Sequence, residues 1–136
     1  MKAARAIPPA QWSKDALLGY ARLLSQAGRY DEAKGLLQPF VKASPAPVAA
    51  EGALALGETL QGEGDEAASI EYFMTAAYVA PESPAGRRGL LGAGASFAAL
   101  KQVDAAATVC RKLLAQTGVP AEQTEAARKC LRDIGQ

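Results

Sequence analysis

Residues 51–81 read EGALALGETLQGEGDEAASIEYFMTAAYVAP, and residues 15–45 read DALLGYARLLSQAGRYDEAKGLLQPFVKASP. In each stretch a glycine stands 17 residues before the closing proline, Gly64 before Pro81 and Gly28 before Pro45, and the two stretches are offset by 36. A fixed offset of this size is the mark of a repeated supersecondary unit. A further step of 37 puts Lys101 in the glycine column and Gly118 in the proline column, with Pro120 two residues on, so residues 88–118 form a degenerate third copy. Glycine ends a helix in left-handed backbone and proline cannot continue one, so each copy reads as two helices joined by a turn.

Aligned copies sort the side chains into columns. Small residues recur where two helix backbones have to approach closely: Ala21, Gly57 and Gly94 on first helices, Ala33, Ser69 and Ala106 on second helices. Larger apolar columns surround them. On first helices these are Leu17, Ala53 and Leu90, then Tyr20, Leu56 and Ala93, then Leu24, Leu60 and Phe97. Second helices contribute Leu37, Phe73 and Cys110, then Phe40, Ala76 and Leu113. The columns lie three or four residues apart, which is one apolar stripe per helix. Composition agrees, with 31 alanines against 14 valines, isoleucines and threonines together, a ratio that favours helix over strand.

The expected fold is therefore all-α, with seven helices near 14–27, 31–43, 47–62, 66–79, 84–99, 103–116 and 120–134. Ser13 is placed to cap the first helix, with Trp12 and Leu17 as a hydrophobic staple, and Ser83 to cap the fifth. Pro47, Pro84 and Pro120 suit a first helical position, while Gly28, Gly62, Gly64 and Gly118 stop or separate helices. Pro39 falls inside the second helix, removes a hydrogen bond to Gly35 and predicts a kink. Residues 1–12 read as a loose leading segment. Residues 13–136 read as one domain with repeats near 13–46, 47–82 and 84–118 and a capping helix at 120–134. That last helix turns Ala127, Cys130, Leu131 and Ile134 inward and Glu122, Glu125, Arg128, Lys129, Arg132 and Asp133 outward, covering the open side of the third unit.

The strings GYARLLSQAGRYDEAKGLLQPFVKASP and LGETLQGEGDEAASIEYFMTAAYVAP, with GAGASFAALKQVDAAATVCRKLLAQTG as a weaker third, resemble the tetratricopeptide repeat. Ala21, Gly28, Tyr30, Ala33 and Pro45 fall on signature positions of that family. The resemblance implies three repeats and a C-terminal solvating helix in a right-handed superhelical stack of antiparallel hairpins. Joints of 36 and 37 residues, rather than the usual 34, are similar to those of bacterial periplasmic and outer-membrane-associated members. In such a stack the first helices line a concave groove. The groove columns are Leu18, Leu54 and Leu91, then Arg22, Glu58 and Ala95, then Ser25, Gln61 and Ala98, with Asp15, Glu51 and Arg88 at its start. A leucine stripe edged by mixed charge suits a peptide or helix with apolar anchors. The alternative for Leu18 and Leu54 is packing between neighbouring units. Some relatives grip a C-terminal carboxylate; here the matching places hold Leu18, Arg22, Ala55, Arg88 and Gly92, so that clamp is mostly missing. Arg87-Arg88 reads as a solvated joint between units, with an acidic ligand as the alternative.

Several function classes lose ground on composition. Fifteen Lys and Arg against 14 Asp and Glu leave a net charge of +1, too little field to gather nucleic acid or anionic lipid. There is no histidine, the most used acid/base group and metal ligand near neutral pH. The glycines of GLLGAGASFAAL follow no strand and fit helix packing better than a phosphate loop. No apolar run is long enough for a membrane span. The first 12 residues lack the apolar stretch of a signal peptide, which leaves a cytoplasmic protein or a fragment of an exported, periplasmic one. Cys110 and Cys130 are the only cysteines; buried thiols are the favoured reading, with a bridge in an oxidising compartment as the alternative. Tyr72 and Tyr78 are the aromatics expected to reach solvent. The sequence thus points to a non-catalytic module for a partner protein or peptide, with no cofactor, metal, nucleic acid or membrane insertion. The runner-up is a self-assembling scaffold, a homo-oligomer or part of a larger bacterial envelope-associated complex.

Overall fold

A computed structural model describes residues 13–43 and 45–135. It contains seven α-helices: α1 (Lys14–Gln26), α2 (Tyr30–Leu37), α3 (Ala46–Glu63), α4 (Glu66–Val79), α5 (Pro84–Ala99), α6 (Val103–Leu114) and α7 (Ala121–Asp133). No strand occurs among the described residues. The expected leading segment, residues 1–12, lies outside the described residues, as does Trp12 of the anticipated staple.

Consecutive helices pack as hairpins, α1 with α2, α3 with α4, and α5 with α6. First helices also touch the next first helix, α1 on α3, α3 on α5, and α5 on α7, so the units stack sideways. One local device repeats at all three turns. The backbone N–H two or three residues past the helix end donates to a carbonyl five residues back: Arg29 to Leu24 (2.8 Å), Asp65 to Leu60 (2.9 Å) and Gln102 to Phe97 (2.9 Å). This closure needs left-handed backbone at the residue between. Gly28 (φ 80°) and Gly64 (φ 94°) supply it, and in the third copy Lys101 adopts φ 65°. Lys101 is the one non-glycine with positive φ among the described residues, so the degenerate copy keeps the turn at the expense of strain.

Start signals act much as the sequence implies. Ser13 Oγ accepts from Ala16 N (3.2 Å), Asp65 Oδ1 from Ala68 N (3.2 Å) and Ser83 Oγ from Gly86 N (3.0 Å). Three details differ. Pro39 does not kink one helix. Instead α2 ends at Leu37 and the chain tightens into a 3-10 turn, Gln38–Lys42, because a missing N–H ends the α-ladder and three-residue closure replaces it. Gly62 lies inside α3, and Gly64 alone ends that helix. Pro120 is the residue preceding α7 rather than its first, and Pro47 is second in α3.

All six small-column residues are buried: Ala21, Ala33, Ser69 and Ala106 at 0% exposure, with Gly57 and Gly94 on the inner faces of α3 and α5. Gly57 shows why size matters there. A Cβ added to it would lie 2.7 Å from Phe73 Cδ1, inside any tolerable contact. The core divides into two clusters. A smaller one joins Ala21, Leu24, Ala33 and Leu37 of the first unit to Leu56 of α3. A larger one runs through units two and three to the closing helix, from Ala50, Leu54 and Phe73 to Leu90, Cys110, Leu113 and Ala127. The outward residues named on α7 are all exposed, and Ala127 is fully buried beneath them.

One expectation is overturned. Cys110 and Cys130 are not free thiols but a disulfide across α6 and α7, with a Cα separation of 6.7 Å. Antiparallel packing of the two helices about the turn at Gly118 brings both to one height, which their positions on separate stripes left open.

Candidate functional site

Helices α1, α3 and α5 stand side by side and line a cleft of about 260 Å³. Leu18 and Arg22 come from α1, Pro47, Glu51, Leu54, Ala55 and Glu58 from α3, and Ser83, Pro84, Ala85 and Arg88 from the start of α5. Leu54, only 6% exposed, and Ala85, 5% exposed, form the floor. Leu18 is half-buried, and Arg22 and Arg88 are exposed on the rim.

Charge around the rim is balanced rather than one-sided. Lys14 Nζ reaches Glu51 Oε1 across the first joint (3.3 Å), and Arg88 Nη2 lies 3.9 Å from Glu58 Oε2. Exposed pairs of this kind are worth at most about 1 kcal/mol, so an incoming charged group exchanges with them at little cost. Among the described residues no group of three or more His, Cys, Asp or Glu is placed to hold a metal ion. No helix among them is long and apolar enough to cross a membrane.

A second cleft of about 270 Å³ lies further along the same side, between α5 and the closing helix. Leu91, Gly94, Ala95 and Ala98 form one wall, Ala126, Lys129, Cys130, Asp133 and Ile134 the other.

With fold and clefts in view, comparison with known proteins is informative. The tetratricopeptide-repeat family profile matches residues 50–83, the middle hairpin and its flanks. Among solved structures, the chain is similar to the Yersinia enterocolitica type III secretion chaperone SycD, determined in complex with a peptide of the translocator YopD. The TM-score is 0.70 at 18% identity, over 88% of this chain and 90% of that one. No curated protein matches the sequence. Its middle hairpin thus matches the tetratricopeptide repeat, and the chain shares the helical-repeat fold of that chaperone.

Within this helical-repeat fold, the residues singled out from sequence separate into three groups. Leu18, Arg22, Leu54, Glu58 and Arg88 meet in the first cleft. Leu91 and Ala95 meet in the second. Ser25 and Gln61 line neither. Gln61 Nε2 donates to Ser96 Oγ (3.1 Å), which lies 2.8 Å from Ser69 Oγ, and Ser69 Oγ donates to the Glu66 carbonyl (2.7 Å). That chain of donors is buried between units two and three and fixes their register.

Arg87 and Arg88, adjacent in sequence, have different tasks. Arg87 turns towards the end of α6: its Nε donates to Gln116 Oε1 (2.9 Å), Nη2 to the Thr117 carbonyl (3.0 Å) and Nη1 to the Gly118 carbonyl (3.2 Å). Gln116 Nε2 in turn donates to the Pro81 carbonyl (3.0 Å). Arg87 therefore satisfies orphan carbonyls beyond a helix end, and only Arg88 faces the cleft. Sequence reasoning missed Pro47, Ser83, Pro84 and Ala85 as lining. They stand out in the sequence as helix-starting residues, and only the sideways stacking of units brings helix starts into a cleft.

Proposed function

We propose that this chain is a non-catalytic protein-interaction module that seats an apolar-anchored peptide or helix of a partner protein along its concave side. The observation that carries the reading is the first cleft: a floor of Leu54 and Ala85 reached past half-buried Leu18, with half-buried Glu58 and exposed Arg22 and Arg88 around it. An apolar pocket with a few polar groups at its rim is the usual form of a recognition site. Support also comes from SycD, a chaperone of similar fold solved with a peptide of a translocator. The cleft stands on three helices packed against one another, so little backbone entropy is lost by the scaffold on binding. Leu91 and Ala95 in the second cleft extend the same track.

The test is capture of partners from the source organism's lysate by the native chain and by Leu18→Glu and Leu91→Glu, with circular dichroism to verify unchanged helicity. A charge without a partner in an apolar contact costs several kcal/mol, so each variant is expected to lose at least tenfold of the specifically retained protein. Equal retention by both variants places the site elsewhere.

Self-assembly is favoured by a different observation. Ile70, Met74 and Tyr78 form a stripe along α4, where Tyr78 is 85% exposed. Sedimentation over a concentration series discriminates, since a monomer at high concentration removes this reading.

A further inference from the structure

We infer that the Cys110–Cys130 disulfide is a redox-operated latch on the closing helix, so that a dithiol reductant releases α7 from an otherwise intact stack. The inference rests on how unequally α6 and α7 are fastened. α6 buries Ala106, Ala107, Val109, Cys110 and Leu113, and the segment after it is tied to α5 by the four hydrogen bonds through Arg87 and Gln116. α7 buries Ala127 alone among its described residues; Leu131 and Ile134 are half-buried. Its ion pairs Lys129–Asp133 (2.8 Å) and Arg132–Glu125 (3.0 Å) run along the helix itself and add nothing to docking. Gln123 Oε1 is buried with no hydrogen-bond partner among the described residues, which opposes docking. The covalent bond is thus the main fastening of this helix.

The seat is shaped for the bonded sulfurs. A Cβ on Gly94 would lie 2.7 Å from Cys110 Sγ and 3.3 Å from Cys130 Sγ, so the bridge rests against bare α5 backbone. The two sulfurs differ in access: Cys110 is fully buried, whereas Cys130 is half-buried and lines the second cleft. A thiolate of the dithiol therefore attacks Cys130 Sγ. The S–S bond breaks, Cys110 leaves as a thiolate and takes a proton, and a mixed disulfide forms on Cys130. The second thiol of the reductant then attacks its own sulfur in that mixed disulfide and expels Cys130. Two protein thiols and one cyclic disulfide result. Once free, α7 withdraws, uncovers Leu113 and removes one wall of the second cleft. An oxidising compartment keeps the cleft closed on both sides, and a reducing one opens it.

Hydrogen exchange of the full chain, before and after dithiothreitol, reads this directly, with thiol alkylation and mass confirming that both cysteines are free. Closing a loop of this length restricts the open state by a factor of order 100, so amides of α7 are expected to exchange about that much faster on reduction. Those of α1 to α4 and α6 are expected to stay within about threefold of their oxidised rates. The double variant Cys110→Ala and Cys130→Ala is expected to show the fast α7 pattern without reductant and to ignore it when added. Unchanged α7 protection with both thiols alkylated overturns the inference. So does loss of protection spread through α1 to α6, which makes the bond a staple of the whole fold rather than a latch.

Discussion

The two joints of this molecule are copies of one repeat, yet they are fastened by different physics. Units one and two pack Leu56 and the Gly52 backbone of α3 against the first unit, and long side chains add surface links: Lys14 to Glu51 (3.3 Å), Lys34 to Glu63 (2.9 Å) and Tyr30 OH to the Gly62 carbonyl (3.1 Å). Units two and three meet through bare backbone and an aromatic ring. Gly57 of α3 and Gly92 of α5 face the ring of Phe73, where added Cβ atoms would lie 2.7 Å and 2.6 Å from ring carbons, and the buried Ser69–Ser96 contact sits alongside. Surface pairs hold long side chains against entropy and are screened by salt. Close-packed interiors are felt at the level of a single methylene. One repeat pattern thus yields a joint supplemented by surface pairs at one end of the stack and one centred on a buried ring in the middle.

The largest test of that contrast is Phe73→Ala. Phe73 is 1% exposed at the centre of the larger cluster, and truncating a buried phenylalanine costs about 3–5 kcal/mol. The urea midpoint is expected to fall accordingly, with hydrogen-exchange protection lost first in α3 to α6. A greater loss in α1 and α2 breaks the contrast. Next in size is Lys101→Gly. Relief of the left-handed strain at φ 65° is expected to raise stability by about 1 kcal/mol, and the thermal midpoint checks it; no rise shows that the third turn is unstrained. Smallest is a surface pair of the first joint. The hydrogen bond to Glu63 holds the Lys34 ammonium above the ordinary lysine value of 10.5, with Asp31 assisting. A raised value means the stabilisation is full below that ordinary value and fades as pH climbs through the folded one. Native chain and Lys34→Gln are therefore expected to differ slightly in urea midpoint at pH 9, and the difference to shrink as pH rises past 10.5, whereas a difference that does not shrink sinks the assignment.

How much was legible in the sequence follows from where each signal is generated. Gly28, Gly64, Ser13 and Ser83 act on their own few residues, and those features were read correctly. Columns such as Leu37, Phe73 and Cys110 repeat because every unit meets its neighbour in the same way, so burial followed from alignment. Pro39 was placed at the right spot, but whether a broken ladder bends or tightens depends on what lies beside it. Here Gly52 leaves room for Phe40 of the 3-10 turn, since an added Cβ would lie 3.2 Å from Phe40 Cα. Gln61 and Ser25 share a helix face with true cleft residues, and the sequence had no means to separate them. Gln61 is drawn into the joint by Ser96, 35 residues away.

The sequence by itself determined the helices, their breaks, the period of the stack and the stripe each helix hides, because these arise from backbone conformational preference and the spacing of apolar side chains along one chain. Only the tertiary structure decided that Arg87 braces α6 while Arg88 faces the cleft, that helix-starting prolines line it, and that Cys110 and Cys130 meet. Each of these depends on the rotation and height of one helix against another, which short-range packing between units sets and no pattern along the chain records.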